Sequence, residues 1–193
     1  MANDRPPQSA ASWSVIHEGY GDAGVASTVG LITDRDAIVV TDPGMVRNHG
    51  LILEPLVRLG VQADDVTDVI FSHHHPDHTL SAALFANARF HDHWAIYRGD
   101  EWTSRDAEGY ALTGSIRLIR TPGHTDEDIT TLVGTADGVV AFTHLWNASD
   151  SIGDRRATDL DALHRGRARV LAVADIIVPG HGSPFVPTAA TPR

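Results

Sequence analysis

Four histidines and one aspartate fall within six residues: His73, His74, His75, Asp77 and His78. They follow directly on the apolar run Val69, Ile70 and Phe71. Imidazole and carboxylate are ligands of catalytic divalent cations. His73 and His75 are two apart, so in extended chain their side chains leave on the same side and can share one cation. His74 leaves on the opposite side and is taken to lie outside the ligand set. Pro76 redirects the chain, so Asp77 and His78 can face a neighbouring position.

Three later histidines repeat the placement. His124 closes Thr121-Pro122-Gly123-His124, His144 follows the apolar stretch 139–142, and His181 sits in Pro179-Gly180-His181-Gly182. Each lies just past a segment with strand character. Strand ends gathered at one sheet edge can share a single cleft. His73, His75 and His124 can give one cation three imidazoles and leave a position for water, which is a catalytic zinc arrangement. Asp77 and His78, with His181, can serve a second site. Two cations about 3.5–4 Å apart can generate hydroxide and stabilise the charge that develops on the attacked group.

Composition narrows the chemistry. The chain has 193 residues with 42% hydrophobic content, enough for one domain with a sizeable core. We expect a loose leader over 1–12, the domain over 13–187 and a short tail over 188–193. The formal net charge of −10 argues against nucleic acid or an anionic membrane as partner. There is no cysteine, so disulfides and thiolate ligands are excluded. All 15 basic residues are arginine, which excludes Schiff-base and phosphate-loop lysines. Neither a signal-peptide pattern nor an apolar run of 18 residues is present, and a cytoplasmic location is the expectation.

The elements that must position these residues are mostly strands. Alternation or apolar runs predict strands at 13–17, 25–32, 36–41, 68–71, 88–90, 116–119, 129–133, 139–142 and 176–178. Leu51, Ile52, Leu56 and Leu59 have helical spacing, with Pro55 placed in a first turn that starts at Glu54. Short helical segments are expected at 80–85 and 94–98. Thr158 and Asp161 suggest a capping box for a helix over 160–174, with Leu160, Leu163, Val170 and Leu171 inward. Asp137-Gly138 marks a hairpin. Strands followed by helices in each half suggest two sheets face to face with helices outside.

The stretch His73-x-His75-x-Asp77-His78 resembles the HxHxDH motif of the metallo-β-lactamase fold hydrolases. The loops at His124 and His181 follow in the expected order, and Asp42-Pro43-Gly44 resembles that family's early turn beside the metal cleft. The likeness runs from about Trp13 to Val186. It implies an α+β fold, an αββα sandwich of two mixed sheets with helices on the outer faces. It also implies a dinuclear site, with His73, His75 and His124 on one metal and Asp77, His78 and His181 on the other. One position departs. Where the family usually carries a Gly-Asp pair with a metal-bridging aspartate, this chain has Thr143-His144. A neutral imidazole offers one lone pair to one metal and cannot span two. Three outcomes stay open: His144 as a terminal ligand, a single-metal site, or Asp150 swinging in as substitute.

The functional expectation is a metal-dependent hydrolase of a small ester, thioester or lactone. A metal-bound hydroxide attacks, and Asp77 orients the water or accepts its proton. The cofactor is zinc, one or two per chain, with iron or manganese as alternatives. A lactamase would use a lysine for the drug's carboxylate, and this chain has none; glyoxalase II adds a C-terminal helical region and the RNA-cutting members add domains, and neither is expected here. The competing readings are a mononuclear iron oxygenase on the same fold and a catalytically degenerate metal-binding protein. Trp146 is a candidate pocket residue because it lies two past His144. Trp94, Tyr97 and Trp102 read as core or rim, and His17, His49 and His164 as ordinary histidines. His91 and His93 lack a partner pattern. Arg155 and Arg156 read first as a solvated loop and second as an anion contact.

Overall fold

The computed structural model describes residues 4–193. Seven strands form one mixed sheet in chain order: β1 (Ser12–His17), β2 (Val29–Asp34), β3 (Ala37–Thr41), β4 (Asp68–Ile70), β5 (Arg89–His91), β6 (Ala95–Arg98) and β7 (Glu101–Ser104). Its β3–β4 and β4–β5 pairs are parallel and the others antiparallel. The second sheet has the order β11 (Ile176–Val178), β10 (Gly138–Phe142), β9 (Ile129–Thr135) and β8 (Ile116–Arg120). Only β10–β11 is parallel there.

The two-residue period of the strands sorts their side chains into layers. Val39, Ile70, Ile116, Leu118, Val133, Val140, Phe142 and Val178 meet between the sheets. Val40 and Val69 face the other way, onto Ile52 and Leu56 of helix α1 (Gly50–Arg58). Val139, Ala141 and Ile177 face outward onto Leu163 and Val170 of helix α3 (Leu160–Leu171). Helices therefore flank two face-to-face mixed sheets, as expected.

Several local expectations change. The segment 94–98 is strand, not helix: Ile96 and Tyr97 pair with Thr103 and Trp102 across a turn at Gly99, whose φ is +60°. β-branched and aromatic residues on both arms, with a glycine able to turn the chain left-handed, favour a hairpin. Helix α1 starts four residues earlier than predicted and keeps Pro55 inside, because burial of Ile52 and Leu56 outweighs one lost backbone bond. Leu51 and Leu59 are exposed. On α3 the cap is Asp159, which accepts from the Ala162 N–H at 2.9 Å, and Leu160 faces outward. The buried positions are Ala162, Leu163, Gly166, Arg167 and Val170.

The sequence predicts a loose leader over 1–12. Residues 1–3 lie outside the described residues, but Asp4 accepts from both Nε and Nη2 of Arg169, at 2.7 and 3.0 Å. Ala11 is buried in the central core. At the other end, the Pro192 carbonyl accepts from Trp146 Nε1 at 2.8 Å. The Arg169 hydrogen bond holds the Asp4 carboxyl below its usual range, and Glu108 is held down by the same guanidinium. Depressed carboxylates stabilise the fold above their unfolded pKa near 4, and this contribution fades as pH falls through the lower folded values. Arg169→Gln is therefore expected to be less stable than wild type at pH 7. Urea titrations should show that gap closing between about pH 5 and pH 2.5; a gap independent of pH refutes the linkage.

Candidate metal centre

His73, His124, His144 and His181 follow the C-terminal ends of β4, β8, β10 and β11. In the second sheet, β8, β10 and β11 all run in one direction, so their loops emerge at one edge. Helix α2 (Pro76–Thr79) completes the arrangement. Pro76 occupies its first turn, where no backbone N–H is needed, and the turn swings Asp77 and His78 away from His73 and His75.

One trio is His73, His75 and His124. The Nε2 atoms of His73 and His124 each lie 2.9 Å from Nδ1 of His75. The opposite ring nitrogens show where the protons are. His124 Nδ1 donates to Asp154 Oδ2 at 2.5 Å, and His73 Nδ1 lies 3.0 Å from Ser72 Oγ and 3.6 Å from Asp128 Oδ1. With Nδ1 protonated, both Nε2 atoms carry lone pairs. His75 Nδ1 has at most one proton to offer two lone pairs. A cation among the three nitrogens satisfies all of them.

Asp77, His78 and His181 form a second trio. His181 Nδ1 donates to the Ala26 carbonyl at 2.8 Å, and His78 Nδ1 lies 2.9 Å from Asp42 Oδ2. Both Nε2 atoms are thereby lone-pair donors. They sit 3.5 and 3.6 Å from Asp77 Oδ2, with His78 Nε2 buried and lacking any hydrogen-bond partner. Burial holds His73, His75, His144 and His181 below the ordinary imidazole range, so these rings are neutral at pH 7. Within each trio the ligand atoms lie within 4.8 Å of one another. The donor set fits two cations with N and O preference.

Around this edge opens a cavity of about 730 Å3, with His75, Asp77, His124, His144 and His181 in its lining. The sequence profile of the metallo-beta-lactamase superfamily matches residues 22–183. The chain belongs to that superfamily. It is 32% identical over 193 aligned positions to "Metallo-beta-lactamase domain-containing protein 1" of Xenopus laevis, covering 93% of this chain and 83% of the relative. Among solved structures, a Thermotoga maritima protein classed as a metallo-beta-lactamase superposes with a TM-score of 0.70 at 21% identity, covering 93% of this chain and all of that one. A variant of AiiA from B. thuringiensis, with N-decanoyl-L-homoserine bound at its active site, gives 0.65 at 19% identity, covering 91% and 94%.

The position that departs from the superfamily's usual pattern lies at the centre of the cluster. The His144 ring is 4.2 Å from that of His124 and 4.7 to 5.1 Å from those of His73, His78 and His181, centroid to centroid. Its Nε2 is 3.1 Å from His181 Nε2, and its Nδ1 is buried without a partner. The ring leaves no room beside it: a Cβ on Gly180 would come within 2.4 Å of it. Asp150 lines the cavity but is exposed and belongs to none of the ligand trios. The carboxylate that reaches the centre from that loop is Asp154, which forms a trio of its own with His124 and His144.

Trp146 is a correction. Its indole is fully buried under α3, packed edge-on against Phe185, and contributes nothing to the cavity wall. A residue two past His144 falls on the same side only if the strand continues, and the chain has already turned there. His74 points away as expected, 3.1 Å from Glu127 Oε2 and 3.4 Å from Asp92 Oδ2. His91 pairs with buried Asp68 at 2.7 Å and His93 stacks on Trp94, so neither joins the cluster. Thr143 bonds beneath the loops, 2.7 Å from Thr130 Oγ1, which is 2.9 Å from Thr121 Oγ1.

Three carboxylates stand behind the ligating imidazoles. Asp42, in a left-handed conformation (φ +47°), accepts from the Ser72 N–H at 2.7 Å and orients His78. Asp128 lies behind His73, and burial raises its pKa to about 7. Asp154 locks His124; burial pushes its carboxyl up, but the His124 and Arg156 N–H bonds hold it below the usual range. Removing a carboxylate that orients a ligating imidazole typically lowers metal affinity 10–100-fold. Asp154→Ala is expected to hold an added divalent cation more weakly by roughly that factor in chelator competition. Unchanged affinity would mean that Asp154 does not orient His124.

Proposed function

We propose that this protein is a divalent-cation-dependent hydrolase of small ester, thioester or lactone substrates. The observation that carries the reading is the convergence of two lone-pair trios on the floor of one cavity. His73, His75 and His124 would hold one cation, and Asp77, His78 and His181 the other, with His144 between them. A bound cation, zinc or alternatively iron or manganese, supplies Lewis acidity and lowers the pKa of a water molecule to near neutrality. The protein's own groups do the rest. Asp77 faces the cavity and orients the attacking water or accepts its proton. Asp42, Asp154 and the Ala26 carbonyl keep the imidazole lone pairs aimed inward. The likeness to AiiA is one of fold, and it makes lactones the first substrates to assay.

His144 favours a second reading, a mononuclear iron oxygenase, because a neutral imidazole does not bridge two cations as a carboxylate does. Elemental analysis of the purified protein with a panel of neutral esters, thioesters and lactones separates the two. Two zinc ions per chain with hydrolysis support the proposal. One iron per chain with oxygen uptake overturns it, as does full metal occupancy without turnover on any ester, thioester or lactone.

A further inference from the structure

We propose that Arg155 and Arg156 form an anion subsite of the same cavity, which takes a carboxylate carried by the substrate several atoms from the bond that is cut. The assignment of a scissile bond rests on the hydrolase reading; the binding site itself does not.

Both arginines line the cavity together with His75, His124 and His144, and both are exposed. Their place is fixed from two sides. The Arg156 N–H donates to Asp154 Oδ1 at 2.8 Å while Asp154 Oδ2 accepts from His124, so one carboxylate ties the arginine loop to the ligand cluster. From below, buried Arg167 donates to the Ile152 carbonyl at 2.8 Å, just ahead of the pair. The guanidiniums are also uncommitted. Among the described residues Arg58, Arg89, Arg120, Arg165 and Arg169 each lie within 4.0 Å of a carboxylate, and neither Arg155 nor Arg156 does. Asp150 and Asp154 share the rim without pairing to either side chain.

The rest of the cavity sets the polarity. Glu18 and Asp22 line it as well. Glu18 is held by the Ser183 hydroxyl at 2.7 Å, so a fixed negative charge sits in the wall. An anionic group is repelled there and drawn to the arginines. In a chain without lysine, the permanently charged side chains that a carboxylate can meet in this cavity away from the cations are guanidiniums. Their planar forks match a carboxylate bidentately.

The test uses zinc-loaded protein and two probes of equal length, glutarate and its monoamide glutaramate, measured by calorimetry at low ionic strength. Each can place one carboxylate at the cations; only glutarate has a second for the arginines. Charge-assisted hydrogen bonds are strong enough that glutarate should bind at least about tenfold more tightly. The Arg155→Gln/Arg156→Gln variant should bring the ratio to within about twofold, the statistical factor for two equivalent carboxylates. Arg58→Gln/Arg98→Gln makes the same change in net charge elsewhere and should leave the ratio intact. A wild-type ratio near that factor, a ratio that survives in the 155/156 variant, or an equal loss in the control overturns the proposal. No turnover enters the measurement. A chain that discriminates in this way but hydrolyses nothing keeps the subsite and sinks the hydrolase reading.

Discussion

Asp77→Ala is expected to lower turnover at least about a thousandfold while leaving the fold intact. The side chain sits on the single turn of α2 with its Oδ2 3.5 Å from His181 Nε2 and 3.6 Å from His78 Nε2. It is the one carboxylate in the two trios proposed as ligands, so it alone among them can accept a proton without giving up an imidazole lone pair. General-base catalysis is typically worth a factor of 100 to 10,000, and loss of a cation ligand adds to that. No packed core depends on this residue, so thermal unfolding should stay close to wild type. Asp77→Asn keeps the shape and an oxygen but not the basicity, and should fall with the alanine variant. Measured kcat on the best ester or lactone, beside metal content, decides the matter. Full activity of Asp77→Ala with both cations bound refutes the assignment.

The site was legible because its residues are contiguous or tied to strand ends. His73, His75, Asp77 and His78 fall within six consecutive positions, and strand-like apolar runs place His124, His144 and His181 just past β8, β10 and β11. What the sequence hid are the groups behind the ligands. Asp154 lies 30 residues from His124, in a loop with no periodicity, and only the folded chain shows that it locks the ring. Asp42 reads in the sequence as part of a turn, but its contact with His78 spans 36 positions. Trp146 stays out of the cavity because strand alternation ends with β10, and the stretch expected as a helix at 94–98 pairs instead as a hairpin arm, Ile96 and Tyr97 against Thr103 and Trp102.

Arg167 is the clearest case of a residue that local pattern could not assign, and it carries the second large prediction. An arginine on an amphipathic helix normally faces water. This one is fully buried on α3, with no carboxylate within ion-pair distance among the described residues. Its Nε donates to the Leu145 carbonyl and its Nη1 to the Ile152 carbonyl, both at 2.8 Å, and its guanidinium lies 5.2 Å over the Trp146 ring. Burial pushes its pKa below the usual arginine range, and only the Asp154 charge opposes this. The group therefore pins both arms of the loop that delivers Asp154 to His124. Charged hydrogen bonds of this kind contribute about 1.5–3 kcal/mol each. Part of that is offset in a variant, because the cost of burying the cation disappears too. Arg167→Ala should lose about 2–4 kcal/mol. For a chain of this length that lowers Tm by roughly 5–15 °C. Arg167→Lys keeps the charge but not the fork, and a single ammonium cannot span two carbonyls as guanidinium does, so it should recover less than half of the loss. If the loop is pinned in this way, both variants should also weaken divalent-cation binding, as Asp154→Ala should, because His124 loses its orienting carboxylate when the loop moves. Full stability of the lysine variant, or destabilisation of the alanine variant with unchanged divalent-cation affinity, would uncouple Arg167 from the metal centre and leave it a packing residue.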